Sequence, residues 1–218
     1  MIKLIKKLMP SKEFAIALSG GVDSIALAHF LKQGHKKFTA LHVNAKYIPQ
    51  DDEAEENVRA FCKAHRIPLE VLVVKDVYQK GSVEAWCRDR RYELLYEFCV
   101  RKGIKDLVVC HHLDDCVESY LMNCFNGVPE YTPIPLHTAY RMVDIWRPFV
   151  LTRKKALASY AESRNLSRYV TEDELNQNIK LQRNWVRHCI RPLIESRYKG
   201  IVTVVRKMIE KKLLQITR

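Results

Sequence analysis

Apolar residues fall along this chain in two alternating rhythms. Phe14-Ala15-Ile16-Ala17-Leu18 is an unbroken apolar run, the pattern of a strand covered on both faces. Ile25 to Leu31 follows with apolar residues at helical spacing. Phe38 to Asn44 predicts a second strand, Asp51 to His65 a helix, and Leu69 to Val74 a third strand. Ser82 to Val100 reads as a long helix with Ser82 as its N-cap. Asp106 to Cys110 is a fourth strand and Leu113 to Phe125 the helix after it, ended by Asn126-Gly127-Val128-Pro129. A proline-punctuated aromatic stretch from Tyr131 to Pro148 has room for a fifth strand near Met142 to Trp146. From Thr152 the pattern is helical.

Alternating strands and helices with apolar strands predict an α/β fold, a doubly wound, mostly parallel sheet with helices on both faces and right-handed crossovers. Ligands on such sheets bind outside the carboxyl ends of the strands, where strand order reverses. With strand one central and strand four beside it, the loops after these two face each other. The expected division is a nucleotide-binding α/β domain over residues 1–150 and a basic helical extension over 151–218.

The stretch Ser19-Gly20-Gly21-Val22-Asp23-Ser24 is the first of those loops. Its glycines let the backbone take φ > 0 and approach a ligand closely. Successive N–H groups at a helix start make an anion nest, strengthened by the helix dipole. No lysine lies in the loop, and Asp23 would repel a bare phosphate. An acid beside a phosphate cradle makes sense if Mg²⁺ bridges the two. The bland alternative is a tight turn with a capping Asp or Ser.

The second loop is His111-His112-Leu113-Asp114-Asp115-Cys116-Val117-Glu118-Ser119. Asp115 and Glu118 are spaced i,i+3 and Asp114 and Glu118 i,i+4, so the acids share one helix face. They can hold Mg²⁺ or a ligand amine, whereas dipole-favoured acids at a helix start are the plain alternative. Zinc is disfavoured because no third ligand stands at a recognisable spacing. The acids between Asp51 and Glu56 read as a solvated helix start.

Composition narrows the partners. The chain has 218 residues with 37 Lys+Arg against 25 Asp+Glu, a net charge of +12. That excess suits a polyanion, RNA or DNA before a membrane, with a merely soluble basic protein as the alternative. Ten Lys or Arg stand against two Glu from Arg183 onward. Arg183 and Arg187 are i,i+4 on one helix face and suit phosphate contact. Trp146, Trp185 and Tyr198 could stack bases, although aromatics are more often core. Seven cysteines without a C-x-x-C read as reduced thiols of a cytoplasmic protein, without an iron–sulfur or zinc centre. The N-terminus lacks a signal-peptide apolar region, and no run is long enough to span a membrane.

The first loop resembles the SGGxDS signature of PP-loop ATP pyrophosphatases, and the second resembles the HHxDDxxE[ST] signature of the tRNA-modifying enzymes among them. Two groups share these motifs, tRNA(Ile)-lysidine synthetases and two-thiocytidine synthetases. The thiolation group carries paired C-x-x-C cysteines, absent here. Glu84 with Arg88, Arg91 and Tyr92 resembles the lysidine group's E-x-x-x-R-x-x-R-Y helix. Arg147-Pro148-Phe149 resembles its R-P-L. Asp173-Glu174-Leu175-Asn176 and Arg183-Asn184-Trp185-Val186-Arg187-His188 resemble its D-x-S-N and R-N-x-[IV]-R-H blocks, with Leu175 in place of Ser. Leu41-His42-Val43-Asn44 resembles its second strand, with Ala45 in place of His.

That resemblance implies a reaction. ATP adenylates the C2 oxygen of a wobble cytidine in tRNA(Ile), and free lysine then displaces AMP. It implies nucleotide contacts from Ser19, Gly20, Gly21, Val22, Asp23, Ser24, His111 and Asp114, with Mg²⁺ at Asp23. Asp115 and Glu118 would receive the lysine ammonium, one of them accepting its proton. Arg88, Arg183 and Arg187 would pair with phosphates or the intermediate. Family members commonly continue into further tRNA-gripping domains, so this chain reads as a short form that meets the anticodon arm. Self-association into a homodimer stays open, and so does a non-catalytic RNA-binding role that retains the nucleotide fold.

Overall fold

The computed structural model describes all residues except 79, 129–133, 172–177, 199 and 217–218, and leaves the side chain of residue 84 undescribed. Six strands form one sheet: β1 Phe14–Ala17, β2 Phe38–Asn44, β3 Leu69–Val73, β4 Asp106–Val108, β5 His137–Tyr140 and β6 Val143–Trp146. Their order is β3-β2-β1-β4-β6-β5, with β1 paired parallel to β2 and β4. The sheet is therefore mostly parallel, as the alternating pattern predicts, and the order reverses between β1 and β4. Only β5 runs antiparallel, against β6.

The strand near Met142 to Trp146 is β6, and β5 before it was not expected. His137-Thr138-Ala139-Tyr140 is short, polar and on the sheet edge, so it shows no apolar signature. Its register comes from the turn at Arg141, which stands at φ +56°.

The helices are α1 Val22–Gln33, α2 Pro49–His65, α3 Val83–Lys102, α4 Leu113–Phe125, α5 Lys154–Ser163, α6 Gln182–Trp185, α7 Arg191–Arg197 and α8 Ile201–Gln215. A π-helical turn, Val186–Ile190, joins α6 to α7. Ser82 caps α3 by accepting from the Ala85 N–H at 3.3 Å.

Strand side chains alternate between faces, and the cores follow. Phe14, Ile16 and Val108 pack with α1, α2 and the α5 residues Leu157 and Ala161. Ala15, Leu41 and Leu107 face the other way, onto Leu95, Phe98 and Cys99 of α3. A third cluster joins Leu113, Val117 and Leu121 of α4 to Val202, Val205 and Ile209 of α8. Residues beyond 150 thus share cores with residues before it, and α8 steadies the helix that carries the acids. Among the described residues, no helix is long and apolar enough to cross a membrane.

Candidate functional site

The loop after β1 is shaped by backbone. Gly20 stands at φ +92°, a conformation that side chains rarely adopt, and a Cβ there would sit 3.4 Å from both Ala54 and Val58 of α2. Two requirements, the positive φ and close packing, therefore select glycine. Gly21 is the N-cap of α1 and uses no side chain for it. The Ser24 hydroxyl donates to the Gly21 carbonyl at 2.9 Å and lies 3.1 Å from the Ser19 hydroxyl. The Gly21 N–H reaches the Ser19 hydroxyl at a long 3.4 Å, and no capping side chain covers the start of α1, as an anion site requires.

Asp23 lies in the first turn of α1. Its Oδ1 is buried without a hydrogen-bond partner, and its Oδ2 lies 3.4 Å from His112 Nε2. An unpartnered buried carboxylate oxygen beside an anion cradle fits a cation shared with a phosphate. Among the described residues, no group of three or more His, Cys, Asp or Glu is arranged to hold a metal alone. Mg²⁺ suits that situation, because it is commonly held by one or two carboxylates and by phosphate oxygens.

The loop after β4 is built from side chains. His112 caps α4: its Nδ1 accepts from the Asp115 N–H at 3.2 Å, and Asp115 Oδ2 accepts from the His112 N–H at 2.9 Å. With Nδ1 accepting, the proton of neutral His112 sits on Nε2, toward Asp23. Burial opposes a charge on His112, but Asp115 and Asp23 outweigh it and raise its pKa. For Asp115, burial is likewise outweighed, by His112, His111 and Arg183, and the pKa falls to about 2. His111 differs. Burial lowers its pKa to about 3, helped by Arg147, Arg183 and Arg88 against the pull of Asp115, and its Nδ1 has no partner.

The acids of α4 are all engaged. Asp114 accepts from the Lys154 N–H at 2.6 Å and from Arg153 at 3.2 Å, so it ties α4 to the start of α5. Asp115 pairs with Arg183 at 2.9 Å. Glu118, 1% exposed, takes Arg183 at 3.3 Å, Arg187 at 3.0 Å through both oxygens, and Arg191 at 3.0 Å. Successive i,i+4 steps drift by ~40° around an α-helix. The wider π turn at Val186–Ile190 takes that drift back and returns Arg191 to the face of Arg183.

Arg191 and Arg153 were not foreseen. Arg191 continues the four-residue spacing of Arg183 and Arg187, and that repeat is the signal that finds it. Nothing in the sequence near Arg153 points to Asp114. Arg88 is exposed on α3, with its guanidinium 5.2 Å from the Tyr92 ring. It lines a cleft of about 150 Å³ together with His111, Ser119, Arg147 and Arg183.

His42 Nδ1 donates to the Leu18 carbonyl at 2.9 Å, pinning the end of β2 to the glycine loop. Asn44 donates to Asp52 and Glu55, both at 2.8 Å, which gives two acids of the solvated-looking helix start a structural task. Trp146 is turned inward, stacked on His137 and donating to Asp106 at 2.6 Å. Trp185 is 41% exposed beside Phe125, and Tyr198 is 71% exposed. The Asp173 to Asn176 block lies outside the described residues.

Known proteins share this sequence pattern and fold. The chain is 33% identical over 192 residues to a tRNA(Ile)-lysidine synthase of Exiguobacterium sibiricum, covering 88% of this chain and 46% of that protein. It is 29% identical over 212 residues to the enzyme of the same name from Coxiella burnetii, covering 94% and 46%. It thus spans about half the length of these curated relatives. The fold matches the U34-tRNA thiolase NcsA of Methanococcus maripaludis, solved with its [4Fe-4S] cluster, at a TM-score of 0.78 and 18% identity, over 96% of this chain and 74% of that one. It also matches an NH3-dependent NAD synthetase of Campylobacter jejuni at a TM-score of 0.54 and 14% identity, over 97% and 90%. The PP-loop domain model matches residues 1–194, the region that holds both loops and the three arginines on Glu118, and the chain belongs to the PP-loop domain family.

Proposed function

We propose that this chain is an ATP-dependent tRNA-modifying ligase of the lysidine type. The observation that carries the reading is the meeting of two unlike loops at one switch point, an anion cradle and an acid–arginine cluster, 3.4 Å apart at Asp23 and His112. The names of its relatives support the same reading.

In the first step the C2 oxygen of a wobble cytidine attacks the α-phosphorus of ATP. The bond to the β-phosphate oxygen breaks and pyrophosphate leaves. The N-terminus of α1 and the Ser19 to Ser24 backbone receive the leaving charge. Mg²⁺ held by Asp23 would supply charge neutralisation there. In the second step the lysine ε-amine attacks C2, the C2–oxygen bond breaks, AMP leaves and the amine loses a proton.

The α4 acids already carry their full complement of arginines, with Arg153 on Asp114 as well. Asp114, Asp115 and Glu118 face Arg183, Arg187 and Arg191. A free ammonium gains little from acids so neutralised. Phosphates that draw Arg183 and Arg187 away release Asp115 and Glu118 for the amine, one of them taking its proton. ATP and RNA therefore bind before lysine. Thiol chemistry is poorly served, because burial raises the pKa of Cys110 and Cys116, and both stay protonated.

The test is incubation with ATP, lysine and tRNA(Ile) carrying a wobble cytidine. AMP, pyrophosphate and lysine incorporated into RNA should appear in equal amounts. Sulfur incorporation without lysine, or no AMP at all, would remove the reading.

A further inference from the structure

The cleft beside the acid cluster has a composition that the proposed chemistry has not used. It opens where α3, α4 and α6 meet the carboxyl ends of β4 and β6. Arg88, His111, Ser119, Arg147 and Arg183 line it, with Ile134 as an apolar wall, and no carboxylate is among its lining residues.

Arg147 is the unusual member. It is 5% exposed. Its Nη1 donates to the Pro135 carbonyl at 3.0 Å and to the Thr138 hydroxyl at 2.9 Å, both neutral acceptors. Its Nε is buried without a partner, and it makes no ion pair among the described residues. Arg88, across the cleft, also makes none among them. A buried guanidinium without a counter-charge is costly unless something supplies the charge. These neutral acceptors and the Tyr92 hydroxyl fix the orientation of Arg147, and its charge is left for an anion in the cleft it lines.

We propose that this cleft binds the α-carboxylate of the free amino acid substrate, with Arg147 and Arg88 as its anchors. The inference rests on the lysidine-type reading above. Size favours a carboxylate over a nucleotide. About 150 Å³ is well below the ~300–1,000 Å³ of clefts that hold drug-sized ligands. A phosphodiester would also need an exit for chain at both ends. Polarity favours an amino acid over a simple anion. Arg183 lines the cleft and also holds Asp115 at 2.9 Å and Glu118 at 3.3 Å. Cations thus stand on one side and acids on the other, which suits a molecule with a carboxylate at one end and an amine at the other. Planar guanidinium groups match the two carboxylate oxygens.

Lysinamide keeps both amines of lysine and replaces its carboxylate by an uncharged amide. Amine-dependent AMP release with wobble-cytidine tRNA is measured for both compounds. The wild type should prefer lysine by ~10–100-fold in kcat/KM, the range for hydrogen bonds to a charged group. In Arg147→Met that preference should fall to within ~3-fold of unity. Arg88→Gln, at an exposed position, should reduce the preference by ~10-fold and reports even if Arg147→Met does not fold. Equal use of lysine and lysinamide by the wild type would overturn the carboxylate site and leave lysidine chemistry standing. So would a preference that survives both variants. A wild type that releases no AMP in response to either amine would overturn both readings.

Discussion

After β1 the chain enters α1 on backbone geometry, with Gly20 at φ +92°, Gly21 as N-cap and one carboxylate oxygen of Asp23 unpartnered. After β4 it enters α4 on side chains, with His112 and Asp115 capping each other and Glu118 held by three arginines. The two loops sit on adjacent parallel strands and differ in what completes them. The first is incomplete without a ligand, because no capping side chain covers the start of α1 and Asp23 Oδ1 has no protein partner to lose. At the second the acids are satisfied without one, and a ligand that is to reach Asp115 or Glu118 must displace an arginine. Mutations should therefore separate binding from stability at the first loop and mix them at the second.

The largest expected effect tests the first half of that contrast. Asp23→Ala should lower pyrophosphate release by ~10²–10³-fold, the scale for losing a group that stabilises developing charge. Folding stability should change by less than about 1 kcal/mol, since an unpartnered buried oxygen contributes no bond. Pyrophosphate release and urea unfolding on the same preparation decide it. A variant that unfolds early would show that Asp23 holds the fold through His112.

The second half predicts the reverse balance. Glu118→Gln leaves Arg183, Arg187 and Arg191 without their shared carboxylate, in surroundings only 17–22% exposed. Breaking such a buried arrangement from one side costs about 3 kcal/mol. For a chain of this length that corresponds to a Tm lower by roughly 6–12 °C. Calorimetry in the absence of ligands checks it. An unchanged Tm would mean that the arginines are held by packing alone.

The same contrast explains what could be read before the fold was known. The glycine loop is six consecutive residues between a strand and a helix, so its geometry is local and visible. The strands β1, β2 and β4 are equally visible, because burial inside the sheet favours apolar runs, and β3, at the sheet edge with no buried residue, shows through its valines and leucines. The acid cluster was visible only by half. The spacing of Asp114, Asp115 and Glu118 shows a shared face, but their partners lie 39 to 73 residues away. Such pairings depend on how α5, α6 and α7 pack against α4, which no local pattern encodes. Arg147 stood inside a motif and still showed no role, since its meaning is the absence of a counter-charge. The edge strand β5 was missed for a related reason: pairing with β6 makes it a strand, and its own residues do not.

The smallest expected effect concerns acid stability and the protonation of the second loop. His111 has a folded pKa lowered to about 3 from an ordinary value of 6.5. The unfolded chain therefore binds a proton there that the folded chain refuses, so stability falls as pH drops from 6.5 toward 3. Asp115, lowered to about 2 from 3.8, loses its contribution only in a later window, below pH 4. Wild-type unfolding midpoints should decline through both windows. His111→Gln has no charge to refuse, so its decline between pH 6.5 and 4 should be shallower than the wild type's. Some slope must remain in the upper window, because burial also lowers His29, to about 4, and lowers His42 and His65. None of these three lies in the α4 loop, so the difference between the two curves isolates that loop. Urea midpoints every half unit of pH measure it. Superimposed curves would mean that His111 takes up its proton in the folded protein as readily as in the unfolded chain, and that the arginines around it leave room for the charge.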